Sequence, residues 1–385
     1  MLIINGKLLL EDVFDYHDLR IEDGKIAEIL PFRSGCKDSE IYDAQGSIVI
    51  PGMIDLEVHG ALGYDMSDAC DEAYDTISNY LIRHGVTSFI GAIDSFDESV
   101  LEEAYTAAGE WMSREHKGAD MIGLQMRGPF LNPEVPGAQN PKYFRKPDPA
   151  LYNKLQKLSG GKIKIVNVSP ELEGATPFIR EVSKTATIAL SNSNADYDTA
   201  RMGYTWSNGW CGDLLWDMPN FSVDEPGMIG AAIDGASCVT IRFDNDRFVH
   251  PAMLRMVYRN FWERLCLVSG MTAFTGLPGG SYEIEDHIVT KKNDSVTFED
   301  GRDAGSVLAL DSCQQAVLGM GSVPIPVVFR SATRTAAEML GVYDEIGSIT
   351  PGKRADLAIL DLHSHGVQAV IKNGVFVYNE RKNYD

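Results

Sequence analysis

A closed (β/α)8 barrel, carrying a small β-sandwich built from both termini, is the fold this α/β chain predicts, and three observations predict it. Short apolar strands alternate with helical stretches through the centre of the chain, in number about the eight units a closed barrel needs. Strand-like runs separated by tight turns fill both ends. No G-x-G-x-x-G follows the first central strand, which disfavours the open doubly wound sheet. The predicted division is 1–50 plus 345–385 for the sandwich and 51–344 for the barrel.

The elements follow in order. Strand-like runs fall at 2–4, 8–10, 19–21, 26–29 and 48–50, with turns such as 22–24 and 45–46 between them. The far end mirrors this at 355–360, 366–371 and 375–378, the last two joined by Asn373-Gly374, a strong hairpin signal. Central strands are read at 85–90, 121–126, 163–168, 187–190, 239–243 and 264–268. Helices are read near 71–84, 97–115, 175–184, 196–203 and 251–261. Residues 284–300 predict a strand-turn-strand excursion before closing helices around 311–319 and 326–340.

The first central strand lies in P-G-M-I-D-L-E-V-H-G (51–60), where apolar and polar positions alternate. Glu57 and His59 are two residues apart, so on a strand they share a face and converge at its C-terminal end. A carboxylate beside an imidazole is half of a metal site.

Composition narrows the partners. With 44% hydrophobic and 23% charged residues over 385 positions, the chain is that of an ordinary globular protein. No apolar run approaches the roughly 20 residues of a membrane span. The opening M-L-I-I-N-G-K has neither a basic region nor a cleavage site, so no secretion signal is read. The formal charge of −21 argues against nucleic acid and against an anionic membrane surface. Six cysteines are scattered without metal-finger spacing, as expected of reduced thiols in a cytoplasmic protein.

The motifs together resemble the N-acetylglucosamine-6-phosphate deacetylases of the amidohydrolase superfamily. They are 51–60, G-P-F-L-N-P (128–133), G-A-Q-N-P (137–141), D-M-P-N-F (217–221), E-P-G-M-I-G-A-A-I-D (225–234), V-H-P-A-M-L-R (249–255), A-T-R-T-A-A-E-M-L-G (332–341) and G-S-I-T-P-G-K-R-A-D-L-A-I-L-D (347–361). They stand in family order and span nearly the whole chain. The resemblance implies an amidohydrolase-type barrel and metal-assisted amide hydrolysis. In that chemistry a divalent ion activates water and an aspartate after the last strand serves as base.

Position by position, the family's residues are replaced. The first-strand H-x-H reads Glu57-x-His59. The metal-ligand Glu of H-x-E-G-P is Arg127, the next two ligand His positions are Asn192 and Asp213, and the catalytic Asp is Gly270. Substrate positions differ too: Gln139 and Phe248 replace His, Trp216 and Asp217 replace an Asn-Ala pair, and Asp224 replaces the phosphate-gripping Arg.

Two function classes follow from the resemblance. In the first, the chain is a catalytically degenerate homologue. Its Arg127 replaces the metal as the cation between Glu57 and Asp213, no cofactor is expected, and a sugar-like ligand or a regulatory role remains. In the second, it is an active hydrolase whose zinc-like ion is held by Glu57, His59 and Asp213, with Asn192 or water completing the set. A homodimer is expected on resemblance. Other candidates read as structural: His250 as a helix start, His363 and His365 as solvated, Cys211 and Cys266 as packing residues. Trp206, Trp210 and Trp216 are either core and interface residues or a stacking platform in the pocket.

Overall fold

The computed structural model describes residues 1–207, 209–244, 249–284 and 287–380. At its centre eight parallel strands form one sheet: β1 (Met53–Val58), β2 (Val86–Ile93), β3 (Asp120–Met126), β4 (Ile163–Val168), β5 (Thr187–Leu190), β6 (Trp210–Cys211), β7 (Cys238–Ile241) and β8 (Leu265–Leu267). Their order in the sheet is their order in the chain. β1 and β2 are buried at every position, the signature of parallel strands covered on both faces.

Backbone hydrogen bonds draw the last strand round to the first. Gly270 N donates to Glu57 O at 3.1 Å, and His59 N donates to Met271 O at 2.9 Å. At the other end of the gap, Ala332 O accepts from Ile54 N at 2.8 Å, and Ser331 O accepts from Leu267 N at 3.1 Å. These last two carbonyls are diverted from helical bonding. That is why the stretch expected as one closing helix over 326–340 is two, Ile325–Arg330 and Arg334–Met339.

Helices pack around the barrel through apolar stripes. The helix Asp71–Arg83 buries Ala73, Tyr74, Ile77 and Leu81, the spacing that aligns side chains on one face. Two helices around the barrel and one of its strands have no counterpart in the sequence pattern, nor does the short strand Ile41–Asp43 of the second sheet. Pro149–Leu158 is short, although Asp148 caps it by accepting from Ala150 N at 2.8 Å. Gly227–Gly235 is rich in glycine and alanine and carries little contrast between its faces. β6 is two residues long, too short for any period.

The second sheet takes strands from both termini. Its order is Val375–Asn379, Val367–Lys372, Leu357–Leu360, Ile48–Pro51, Leu2–Leu10, Val13–Glu22 and Lys25–Pro31, with Ile41–Asp43 paired to Leu2–Leu10. Asn373 and Gly374 have φ of 50° and 76°, the positive pair a two-residue hairpin turn needs. The excursion read over 284–300 is three strands, Gly280–Ile284, His287–Lys292 and Ser295–Phe298. No helix of the described residues is long and apolar enough to cross a membrane.

Candidate functional site

The strand period fixes what enters the barrel. Asp55, Glu57 and His59 alternate along one face of β1 and its extension, and Gln125 and Arg127 do so at the end of β3. Beneath the mouth these side chains form a polar layer. Gln125 Nε2 donates to Asn167 Oδ1 at 2.8 Å, and Asn167 Nδ2 donates to Ser191 Oγ at 2.9 Å.

Arg127 lies at the centre of the mouth, 4% exposed. Its Nη2 donates to Asp213 Oδ2 at 2.6 Å, its Nη1 to Asn192 Oδ1 at 2.7 Å, and its Nε to Glu57 Oε1 at 3.3 Å. Asn192 and Asp213 each follow a strand end with φ of 46° and 50°, left-handed conformations that Asn and Asp tolerate better than most residues. That local turn aims both side chains at the guanidinium.

His59 forms a bridge from this cluster to solvent. Its Nε2 lies 3.2 Å from Glu57 Oε1 and its Nδ1 lies 3.1 Å from Asp94 Oδ2. Burial alone would depress the imidazole, but Asp94 and then Glu57 outweigh it and push its pKa up to about 10. Burial would likewise raise Glu57, yet Arg127 and then His59 hold its carboxyl well below the usual carboxylate range. Asp213 is pushed up by burial, against the pull of Arg242 and Arg127.

Arg242, two residues beyond Thr240 at the end of β7, is the residue the sequence reading passed over. Its guanidinium stacks 4.1 Å over the Trp216 ring, and its Nε lies 3.3 Å from Asp213 Oδ1. Its stem covers Gly270: a Cβ built there would lie 2.3 Å from Arg242 Cδ. Asp94 was passed over as well. Both follow the C-terminal ends of barrel strands, the positions from which such barrels build their sites, and that positional rule would have found them.

Glu57, His59, Asp94, Arg127, Asn192, Trp216 and Asp217 line one cavity of about 400 Å³, with Gln139, Arg242 and Gly270 in its wall. Asp213 sits beneath it at 0% exposure. Gln139 is fixed by Ser95, whose N and Oγ donate to its Oε1 at 2.9 and 2.6 Å. Asn192 Nδ2 reaches Asp217 Oδ2 at 3.3 Å. Asp224, expected in the pocket, is exposed and outside this cavity, on a surface stretch where Ser222 Oγ donates to it. Phe248 lies outside the described residues. Of the three tryptophans, only Trp216 lines the cavity.

The residues present do not fit a divalent ion. Glu57 and Asp213 both accept from the Arg127 guanidinium, whose positive charge stands where an ion between them would sit. Among the described residues no group of three or more His, Cys, Asp or Glu side chains is arranged to hold a metal. His365, expected to be solvated, is half-buried with its ring 6.0 Å from that of Phe329, whereas His363 is exposed as expected. His250 caps Pro251–Phe261, its Nδ1 accepting from Ala252 N at 3.1 Å, and burial pushes the Cys211 thiol up to about 12.

A family model described as the amidohydrolase family matches residues 282–382. The chain is 30% identical over 362 residues to the N-acetylglucosamine-6-phosphate deacetylase of Bacillus subtilis, covering 92% of this chain and 91% of that one. It is 28% identical to the N-acetylgalactosamine-6-phosphate deacetylase of Escherichia coli O157:H7, over 95% and 96% of the two chains. The structure of N-acetylglucosamine-6-phosphate deacetylase from Pasteurella multocida superposes with a TM-score of 0.91 at 22% identity, covering 97% of this chain and 98% of that one. The motifs, the two-sheet architecture and a similarity that runs almost end to end agree: the chain belongs to the N-acetylglucosamine-6-phosphate deacetylase family of amidohydrolases.

Proposed function

We propose that this protein is a catalytically degenerate homologue of N-acetylglucosamine-6-phosphate deacetylase, one that binds a ligand at the barrel mouth without hydrolysing it. The observation that carries the reading is Arg127, whose guanidinium is gripped by Glu57, Asp213 and Asn192 where the resemblance puts the metal-ligand carboxylate. A guanidinium keeps its charge at any physiological pH. At 4 Å, with an effective dielectric constant near 20, a divalent ion would be repelled by about 8 kcal/mol.

The proton chemistry points the same way. Gly270 offers no base. His59, the imidazole of the cavity, has a carboxylate at each ring nitrogen and a pKa of about 10, so at neutral pH it carries its proton and cannot accept another. A protonated imidazole cannot activate water, and the Arg127 charge disfavours the ion that would. The site offers a cavity of about 400 Å³ with fixed polar groups, suited to holding a small molecule.

The test is a deacetylation assay of the purified chain with N-acetylglucosamine-6-phosphate and N-acetylgalactosamine-6-phosphate, with and without added zinc. No acetate release above background is expected. Zinc-dependent turnover would sink this reading and restore the active hydrolase with a site remodelled at Glu57, His59 and Asp213. A ligand-binding or regulatory role in amino-sugar metabolism, a cytoplasmic location and a homodimer complete the proposal, supported by the relatives' names, the scattered thiols and the family resemblance respectively. A one-chain mass in light scattering would overturn the dimer.

A further inference from the structure

Arg242 differs from the other cations of the cavity. Arg127 is engaged by Glu57, Asp213 and Asn192, His59 by Glu57 and Asp94, and Arg302 by Asp300 at 2.7 Å. Arg242 is 7% exposed and lines the same cavity. Its Nε and Asp213 Oδ1 are within ion-pair distance, but neither has a hydrogen-bond partner among the described residues, because Asp213 turns its other oxygen to Arg127. The Arg242 guanidinium carbon rests 4.1 Å from the centre of the Trp216 ring, a cation–π contact that holds the group at the cavity wall. A planar fork of donors held in this way matches a two-oxygen anion.

The surrounding charge selects among anions. Glu57, Asp94, Asp217 and Asp303 offset His59, Arg127, Arg242 and Arg302 in the cavity wall, and Asp213 beneath adds one more carboxylate. A single negative charge therefore answers the cation left without a hydrogen bond among the described residues, and a second charge, as on a phosphate monoester, adds repulsion. A second chamber of about 360 Å³ adjoins the first and shares His59, Asp94, Gln139 and Thr272 with it. Phe96, Phe274, Ile284 and Phe298 stand in its wall beside polar groups such as Asp65 and Asn140, so the chamber offers an apolar side on which a ring can be buried.

We propose that Arg242 binds the carboxylate of a monoanionic ligand in this cavity, and that the apolar body of the same ligand fills the adjoining chamber. The proposal deepens the binding role given above by naming the ligand's chemistry.

The experiment titrates the full chain with phenylacetate, acetate and inorganic phosphate, following heat and tryptophan emission, the latter sensitive to Trp216. Phenylacetate is expected to bind saturably, more than about tenfold tighter than acetate because its ring buries apolar surface, and tighter than phosphate. Arg242→Met is expected to weaken it by about tenfold or more, the equivalent of one hydrogen bond to a charged group. Arg242→Lys keeps a cation beside Asp213, protects the fold and lacks the fork, and is expected to weaken binding as well. Unchanged phenylacetate affinity in the lysine variant overturns the proposal. So does tighter binding of phosphate, or equal binding of acetate and phenylacetate. Deacetylation by the wild type would overturn the degenerate reading and leave this outcome to be judged separately.

Discussion

Replacing Arg127 with methionine removes the charge at the centre of the mouth while keeping much of the side chain's volume. In the wild type, Glu57 and Asp213 have side-chain exposures of 4% and 1%, and Arg127 faces both at 3.3 and 2.6 Å. Breaking a buried pair from one side costs about 3–5 kcal/mol, because the remaining charge stays desolvated. Here the loss belongs at the lower end, about 3 kcal/mol, since His59 still faces Glu57 and Arg242 still lies beside Asp213. Urea unfolding of both proteins measures it directly.

The same measurement at several pH values gives a signature that poor packing would not. Arg127 and His59 hold Glu57 below its ordinary value of 4.5. A depressed carboxylate contributes stability that is fully present above the unfolded value and is lost as pH falls through the folded one. The unfolded chains titrate alike, so the gap between wild type and Arg127→Met is full above the folded pKa that Glu57 has in the variant, which burial raises once the arginine is gone, and narrows as pH falls below it. A loss under about 1 kcal/mol, or a gap that ignores pH, would refute the claim that Arg127 is the compensating cation.

Three further outcomes are expected. Arg127→Glu puts a third carboxylate beside Glu57 and Asp213, so its stability should become zinc-dependent, by about 2.7 kcal/mol at a hundredfold excess over Kd, while the wild type's does not; calorimetry with and without zinc decides this. Gly270→Asp should lose about 1–3 kcal/mol, because φ there is 57° and the new Cβ meets Arg242 Cδ at 2.3 Å; adding Arg242→Ala should recover part of the loss, and strict additivity would count against the clash. His59 has its folded pKa raised from 6.5 to about 10, so its contribution is fully present below 6.5 and lost on rising through 10. Stability across that window should fall by up to about 1.4 kcal/mol per pH unit, and His59→Gln should flatten the slope.

The barrel was legible because parallel strands covered on both faces read as apolar runs, and the helices between them carry periodic stripes. β6 was not, since Trp210 and Cys211 alone cannot show a period. At the site, Glu57, Arg127, Asn192 and Asp213 stood out because motifs mark them. Arg242 and Asp94 did not, because no motif of the resemblance falls on them, although their strand-end positions carry the same physical signal. Asp224 shows the opposite error: its neighbours form a motif, but sequence proximity does not say which side of a surface stretch faces the cavity.

The residues at the mouth depend on one another. After glycine, Asn and Asp are among the residues that best tolerate left-handed backbone, so Asn192 at φ 46° and Asp213 at 50° make the strand-end turns while presenting side-chain oxygens. Those oxygens are what a guanidinium needs, and Arg127 supplies it. Gly270 has a packing role of its own, because the space a side chain there would take is filled by Arg242. Arg242 in turn stands beside Asp213, which would otherwise face Arg127 alone. Each of these residues therefore leaves a charge or a volume that another completes, and changing one alone produces a clash or an uncompensated ion. Single changes at the mouth should cost stability that paired changes recover, which is the expectation for side chains packed around two arginines.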